Sequence, residues 1–259
     1  MRASGFGAQV GALLSLPLAS ADGTILLAGA EDDPEGVVAA LSFPGSNSGW
    51  IGALGVRPHG RGRGTGRALT EAAITWLRSR GAGTIGLFAT DAGRGVYDGL
   101  GFEPADRAVA WRGAIVAPAV PVGVVIRSLN EGDRAAVLAL DRAQAGEDRE
   151  PLIAMLEPLR GWIATGDAGD PLGFALKTPW GAACPVIAGS RDAGVALLAA
   201  VAAQPGGGTL IVPEGNAAAL EAVASWRLGR LNDALRMHLG TPPPRRPEGQ
   251  FATFNLFWG

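Results

Sequence analysis

Seven residues constrain this chain more than any others. Arg61-Gly62-Arg63-Gly64-Thr65-Gly66-Arg67 lies between the apolar run Trp50–Val56, which stops at Pro58, and a stretch of helical period. In that stretch Ala68, Leu69, Ala72, Ala73, Trp76 and Leu77 fall on one face, Arg67, Glu71, Thr75 and Arg78 take the other, and Gly81 is placed to end the helix. A strand that turns through glycines into a helix leaves the first N–H groups of the helix without partners. Those donors and the helix dipole attract anions. Glycine lets the backbone adopt φ > 0 and approach a ligand without a Cβ in the way. Arg61, Arg63 and Arg67 add charge suited to phosphate. The segment therefore predicts a site for a diphosphate-bearing ligand.

Two common diphosphate motifs are absent. The dinucleotide pattern G-x-G-x-x-G needs glycine where Leu69 stands, and in the shifted frame where Arg67 stands. No Gly-Lys-Ser/Thr exists to make a nucleoside triphosphate loop. The surrounding pattern narrows the choice. Thr24–Gly29 and Val37–Phe43 read as antiparallel strands joined by a turn through Glu31–Gly36. Thr84–Ala89 reads as a buried strand, Gly95–Leu100 as a short helix ending at Gly101-Phe102, and Ala108–Ile115 as a further strand. Arg61-x-x-Gly64-x-Gly66, preceded by Val56-x-Pro58 and followed by Tyr97-x-x-Leu100-Gly101-Phe102, resembles the pyrophosphate-binding signature of the GNAT acyltransferase family. The resemblance covers roughly Thr24 to Arg112, in the family's order of elements.

That resemblance implies a function: transfer of an acetyl group from acetyl-CoA to a primary amine, by direct attack in a ternary complex. It also implies an α/β (α+β) fold with a mixed, mostly antiparallel sheet flanked by helices. Residue by residue, it implies that the backbone of Leu54, Gly55 and Val56 pairs with the pantetheine arm. The amides from Gly62 through Arg63, Gly64, Thr65 and Gly66 to Arg67, with Arg61 beside them, would hold the diphosphate. Thr90 to Gly93, including Ala92, would lie along the thiol end. Tyr97, the only tyrosine of the chain, would be the general acid for the departing thiolate. Family members often place a glutamate on the central strand as base, but Trp50–Val56 holds no acidic residue, and neither Asp91 nor Asp98 can be assigned that role. A non-catalytic acyl-CoA-binding module is the alternative. The resemblance also leads one to expect a longer helical lid before Thr24 than about twenty residues provide.

The rest of the chain repeats the theme. Ala117–Gly123, with two prolines and no charge, reads as a linker (117–123) between a catalytic domain, 1–116, and a second domain, 124–259. Beyond it, Asp133–Ala143 has helical period, and the helical part is expected to continue through Arg149–Arg160. Pro171–Leu176 and Ala183–Gly189 read as strands, Ala193–Ala203 as a helix, Thr209–Val212 as a strand and Ala217–Trp226 as a helix. The order strand, turn, helix, strand, helix matches the first half and reads as a diverged duplication. Ser190-Arg191-Asp192 replaces the arginine–glycine loop, so the second half resembles a degenerate GNAT-like domain in a tandem protein. Pro242–Pro247 reads as a polyproline-prone surface segment with solvated arginines, and Phe251–Trp258 as a buried final strand or, alternatively, an edge for a second copy.

Composition excludes several other classes. The 259 residues are 47% hydrophobic, enough for a sizeable core, and the formal charge of −2 gives no reason to expect nucleic acid or anionic membrane as partner. Cys184 is the sole cysteine, His59 and His238 stand apart, and no metal is expected. Met1–Ala21 resembles a weak secretory signal but reads better as a helix interrupted near Pro17, with a cytoplasmic location. The acceptor is expected to be a small molecule or another amine-bearing partner.

Overall fold

The computed structural model describes residues 17–178 and 184–258. The expected helix or signal before Pro17 lies outside them. Two compact units divide the chain, and neither is contiguous in sequence. One comprises Met1–Ala105, Leu235–Pro242 and Phe257–Gly259; the other comprises Asp106–Ala234 and Pro243–Leu256. A division at a single linker thus leaves out an exchange of segments.

In the first unit, β1 (Gly23–Gly29) pairs antiparallel with β2 (Pro34–Phe43), and β2 pairs antiparallel with β3 (Ser48–Val56). β3 runs parallel to β4 (Thr84–Ala89), and the far edge of β4 is covered by Leu235–Leu239, the second half of β11 (Gly229–Leu239). β11 is absent from the expectations drawn from sequence, although Leu235, Met237 and Leu239 alternate with Arg236 and His238 as a strand requires. Ile51, Ile85, Leu87, Ala89 and Met237 face α1 (Thr65–Ser79) and α2 (Asp91–Asp98) in one core. α2 begins four residues before the helix expected at Gly95, because Thr90 caps it.

The buried face of α1 is Leu69, Thr70, Ala73 and Leu77, while Ala68 and Ala72 point outward. Thr70 tolerates burial because its hydroxyl donates to the Gly66 carbonyl at 2.8 Å. Gly81, at φ +86°, follows the helix as expected. The opposite face of the sheet is aromatic. Trp50 lies 5.4 Å from Phe88 by ring centroids, with the Arg236 guanidinium 4.8 Å from the Trp50 ring. Gly52 meets the buried indole of Trp258.

The second unit holds a sheet of order β12-β9-β8-β7-β6, made of β6 (Val125–Ser128), β7 (Gly161–Thr165), β8 (Pro171–Leu176), β9 (Val186–Ala188) and β12 (Gln250–Ala252). Its helices are α3 (Arg134–Ala145), α4 (Glu150–Ala154), α5 (Arg191–Ala202) and α6 (Ala217–Ser225). β5 (Glu103–Gly113) pairs antiparallel with β10 (Gly208–Pro213) over the span from Ala108 to Gly113. The helix expected to reach Arg160 stops at Ala154 instead, since Pro158 and Gly161 cannot continue it, and β7 follows. Arg149, the first residue of that expected helical stretch, is buried against Asp141 at 3.0 Å, with its guanidinium 5.0 Å from the Phe254 ring.

Two expectations for the tail change. Arg245 is not merely solvated but pairs with the half-buried Asp106 at 2.7 Å. The strand expected over Phe251–Trp258 ends at Ala252, yet Phe251, Phe254 and Trp258 are all buried within the chain. β12 lies between β9 and β10. Gln250 and Ala252 are in register with Ile187 and Val186, and the Thr253 amide donates to the Ile211 carbonyl at 2.9 Å.

Candidate active site

The pairing of β3 with β4 runs from Ser48↔Thr84 to Ile51↔Leu87 and then stops, although β3 continues to Val56. A bulge causes the divergence. Val37 of β2 faces Gly55 while Ala39 faces Gly52, so β3 carries one residue more than its partner. Ala53 sits in this bulge at φ +53°, an unfavourable backbone for any residue with a Cβ. Leu54, Gly55 and Val56 therefore lie on a strand segment that pairs with β2 alone among the described residues. Nothing in the sequence marks the bulge except the run Gly52-Ala53-Leu54-Gly55.

The strand leads into the turn. Pro58–Gly60 forms one 3₁₀ turn, Gly62 and Gly64 adopt φ +73° and +86°, and α1 opens at Thr65. A Cβ on Gly62 or Gly64 would meet no atom within 4 Å, so the space over both is open. A Cβ on Gly66 would lie 3.7 Å from Val56 Cγ2 and 4.0 Å from Leu54 Cδ2, which places those two side chains beneath the loop. Thr65 is half-buried above Gly36.

The cap of α1 is unlike those of its neighbours. Thr90, Ser190 and Asn216 each cap a helix with a side-chain oxygen that accepts a backbone N–H. Gly64 offers no side chain, and the first turn of α1 contains no acidic residue. Arg63 is exposed and forms no ion pair among the described residues, and Arg61 donates from Nε to the Val56 carbonyl at 3.1 Å. Cationic side chains at the positive end of a helix cost stability unless an anion is bound there. Arg67 behaves differently from the other two. Its Nε meets Glu71 at 2.9 Å and its Nη1 donates to the Gly99 carbonyl at 3.2 Å, so it ties α1 to the end of α2.

Thr90 and Ala92 sit at the start of α2, where Thr90 Oγ1 accepts from the Gly93 amide at 3.3 Å and Ala92 is exposed. Tyr97 lies one helical turn further on. It is buried, packs edge-on to Phe102 at 5.9 Å, and its hydroxyl lies about 4.0 Å from where a Cβ on Gly93 would be. Burial pushes its hydroxyl up to about 12. The structure thus groups Leu54, Val56 and the loop Arg61–Gly66 around the N-terminus of α1, and Thr90, Ala92 and Tyr97 around α2. Among the described residues no three of His, Cys, Asp and Glu are grouped to hold a metal ion.

Comparison with known proteins bears on this arrangement. Residues 11–102 match the model of the acetyltransferase (GNAT) family, and residues 137–252 match a second acetyltransferase (GNAT) domain model. A mycothiol acetyltransferase from Beutenbergia cavernae is 39% identical over 79 residues, 28% of this chain and 27% of that protein. The match therefore spans about a quarter of that relative's length. A crystal structure from Pyrococcus horikoshii, assigned to the acetyltransferases, superimposes with a TM-score of 0.80 at 25% identity, covering 96% of this chain and 85% of that one. A tandem GNAT protein from the clavulanic acid biosynthesis pathway shares the fold at 17% identity, with a TM-score of 0.59 over 86% of this chain and 87% of its own.

Proposed function

The chain belongs to the GNAT acetyltransferase family, and we propose that it transfers an acetyl group from acetyl-CoA to the primary amine of a small-molecule or other amine-bearing acceptor in the cytoplasm. Members of the family use acetyl-CoA as co-substrate. One observation carries the reading for this chain: the uncapped, acid-free N-terminus of α1, with Gly62 and Gly64 open to approach and Arg61 and Arg63 beside them. In this proposal the amides of Gly62–Gly66 donate to the diphosphate oxygens, and Arg61 and Arg63 add charge. Arg67 contributes its backbone amide, since its side chain is engaged with Glu71 and Gly99. The free backbone edge of Leu54–Val56 receives the amide groups of the pantetheine arm, as an added strand would.

The donor supplies a thioester carbonyl. The acceptor's neutral amine attacks it, and the carbon–sulfur bond breaks as the tetrahedral arrangement collapses. Tyr97 donates its hydroxyl proton toward the departing sulfur. Its value near 12 lies far above the roughly 8.5 of an ordinary thiol, so complete transfer from Tyr97 alone is uphill. The proton lost by the attacking nitrogen restores the balance. β3 offers no carboxylate to take that proton, so water relays it. This missing base is also what favours a second reading, a module that binds acyl-CoA without turnover.

The test is calorimetry with acetyl-CoA and CoA, followed by thiol release across an amine panel. Binding with amine-dependent release supports the enzyme, and binding without release under every amine supports the module. Absence of heat at millimolar ligand would remove both. We also propose that one donor binds per chain, because in the second unit Ser190 caps α5 and β12 occupies the space between β9 and β10.

A further inference from the structure

Gly52 is the first residue of β3 beyond the last pair it makes with β4, and so stands where the two strands part. From Val56 back to Gly52 the strand covers about 13 Å at roughly 3.3 Å per residue. An arm laid along Leu54–Val56 from the α1 loop thus points its far end at Gly52. On the face of the sheet away from α1 and α2, that point is walled. A Cβ on Gly52 would lie 2.9 Å from Trp258 Cη2, 3.0 Å from Trp258 Cζ3 and 2.9 Å from the Phe257 carbonyl oxygen. The Trp258 ring is completely buried. Beside it on the same face, Trp50 lies over Gly86 and against Phe88, so the aromatic layer continues across both strands. Only glycine at position 52 lets an indole approach so closely.

We propose that Trp258 determines acyl specificity, its indole walling the fork between β3 and β4 and limiting the donor to acyl groups of two or three carbons. The inference rests on the cofactor reading given above. It goes further, because it assigns the length limit to the last described residue of the chain and not to the loop that carries the family motif. A chain of four or more carbons would have to enter the volume the indole fills. Each methylene that fails to fit an enzyme pocket lowers kcat/KM by about 10-fold or more. Removing the indole opens that volume without touching the diphosphate loop or Tyr97.

The experiment compares acetyl-, butyryl- and hexanoyl-CoA on the full chain and on W258A, W258F and W258L. Binding is read by calorimetry and, with an amine that supports release, kcat/KM is read as well; thermal melts confirm folding. In the wild type, hexanoyl-CoA is expected to bind at least about 10-fold more weakly than acetyl-CoA, and W258A is expected to reduce that ratio by about 10-fold. W258F should fall between. If W258A does not fold, W258L and W258F, which keep apolar contact with the sheet, carry the comparison. A chain-length profile unchanged in folded variants, or a wild type that binds hexanoyl-CoA as well as acetyl-CoA, overturns this inference and leaves the cofactor reading standing. If no acyl-CoA binds any form, the cofactor reading fails and takes this one with it.

Discussion

At the scale of the residue, the three glycines of the loop are not equivalent. Gly64 has φ +86° and Gly66 does not share such a value. A Gly64→Ala change forces a Cβ into the left-handed region, at about 1–2 kcal/mol, and brings a methyl group into the space proposed for the diphosphate. Gly66→Ala meets only ordinary contacts with Val56 and Leu54 and gains helix propensity of about 1 kcal/mol. Denaturant unfolding should therefore show G64A less stable and G66A equal to or above the wild type, with acetyl-CoA affinity reduced far more in G64A.

Tyr97 supports a second pair of predictions. Tyr97→Phe should lower kcat on the order of 10²-fold with acetyl-CoA affinity unchanged, a typical loss for a general acid. Its pH behaviour follows from burial. An unfolded tyrosine loses its proton near 10, while the folded one holds it to about 12. Between those values the unfolded chain binds fewer protons, so stability falls as pH rises, whereas below 10 the contribution is complete. Melting temperatures at pH 9 and 11.5 should diverge more in the wild type than in Y97F. The glycines and Tyr97 were legible in sequence because one demands a special backbone and the other is unique. The tie of the Arg67 side chain to Gly99 was not, because Gly99 lies 32 residues away and bonds through a carbonyl that every residue has.

At the scale of the element, most strands and helices were readable from local period, and the failures share a physical cause. β6, β7 and β11 were missed because each is short or takes its signal from what it packs against. Arg236 and His238 look like solvent-facing residues until β11 lies beside β4, where Arg236 covers Trp50. The bulge at Ala53 has the same character, since an extra residue appears only when β3 is aligned with β2. A β-branched side chain at this position would conflict with its φ of +53°. Ala53→Val is expected to destabilise the protein by about 1–3 kcal/mol and to weaken acetyl-CoA binding by restoring strand pairing beyond Ile51. An Ala53→Val protein with wild-type stability and affinity would show that the bulge does not depend on this residue.

At the scale of the whole molecule, tandem organisation was visible from the repeated order of elements, and both family matches fall on it. The exchange of segments was not visible, since no local pattern names a partner so distant in sequence. A fragment ending at residue 116 would have the loop, α1 and Tyr97, yet leave the outer edge of β4 bare and the Gly52 face without Trp258. Bare edges invite aggregation. Residues 1–116 expressed alone should be insoluble or lack cooperative melting, and a soluble, acetyl-CoA-binding fragment would show that Leu235–Leu239 is dispensable. The same exchange affects biosynthesis. Domains usually fold in the order in which they leave the ribosome, the first closing while later ones are still being made. Here the amino-terminal half must wait, holding a hydrophobic ledge open while the ribosome works through the long stretch from Asp106 to Ala234, and that ledge closes only after Leu235–Leu239 and the Trp258 indole have emerged.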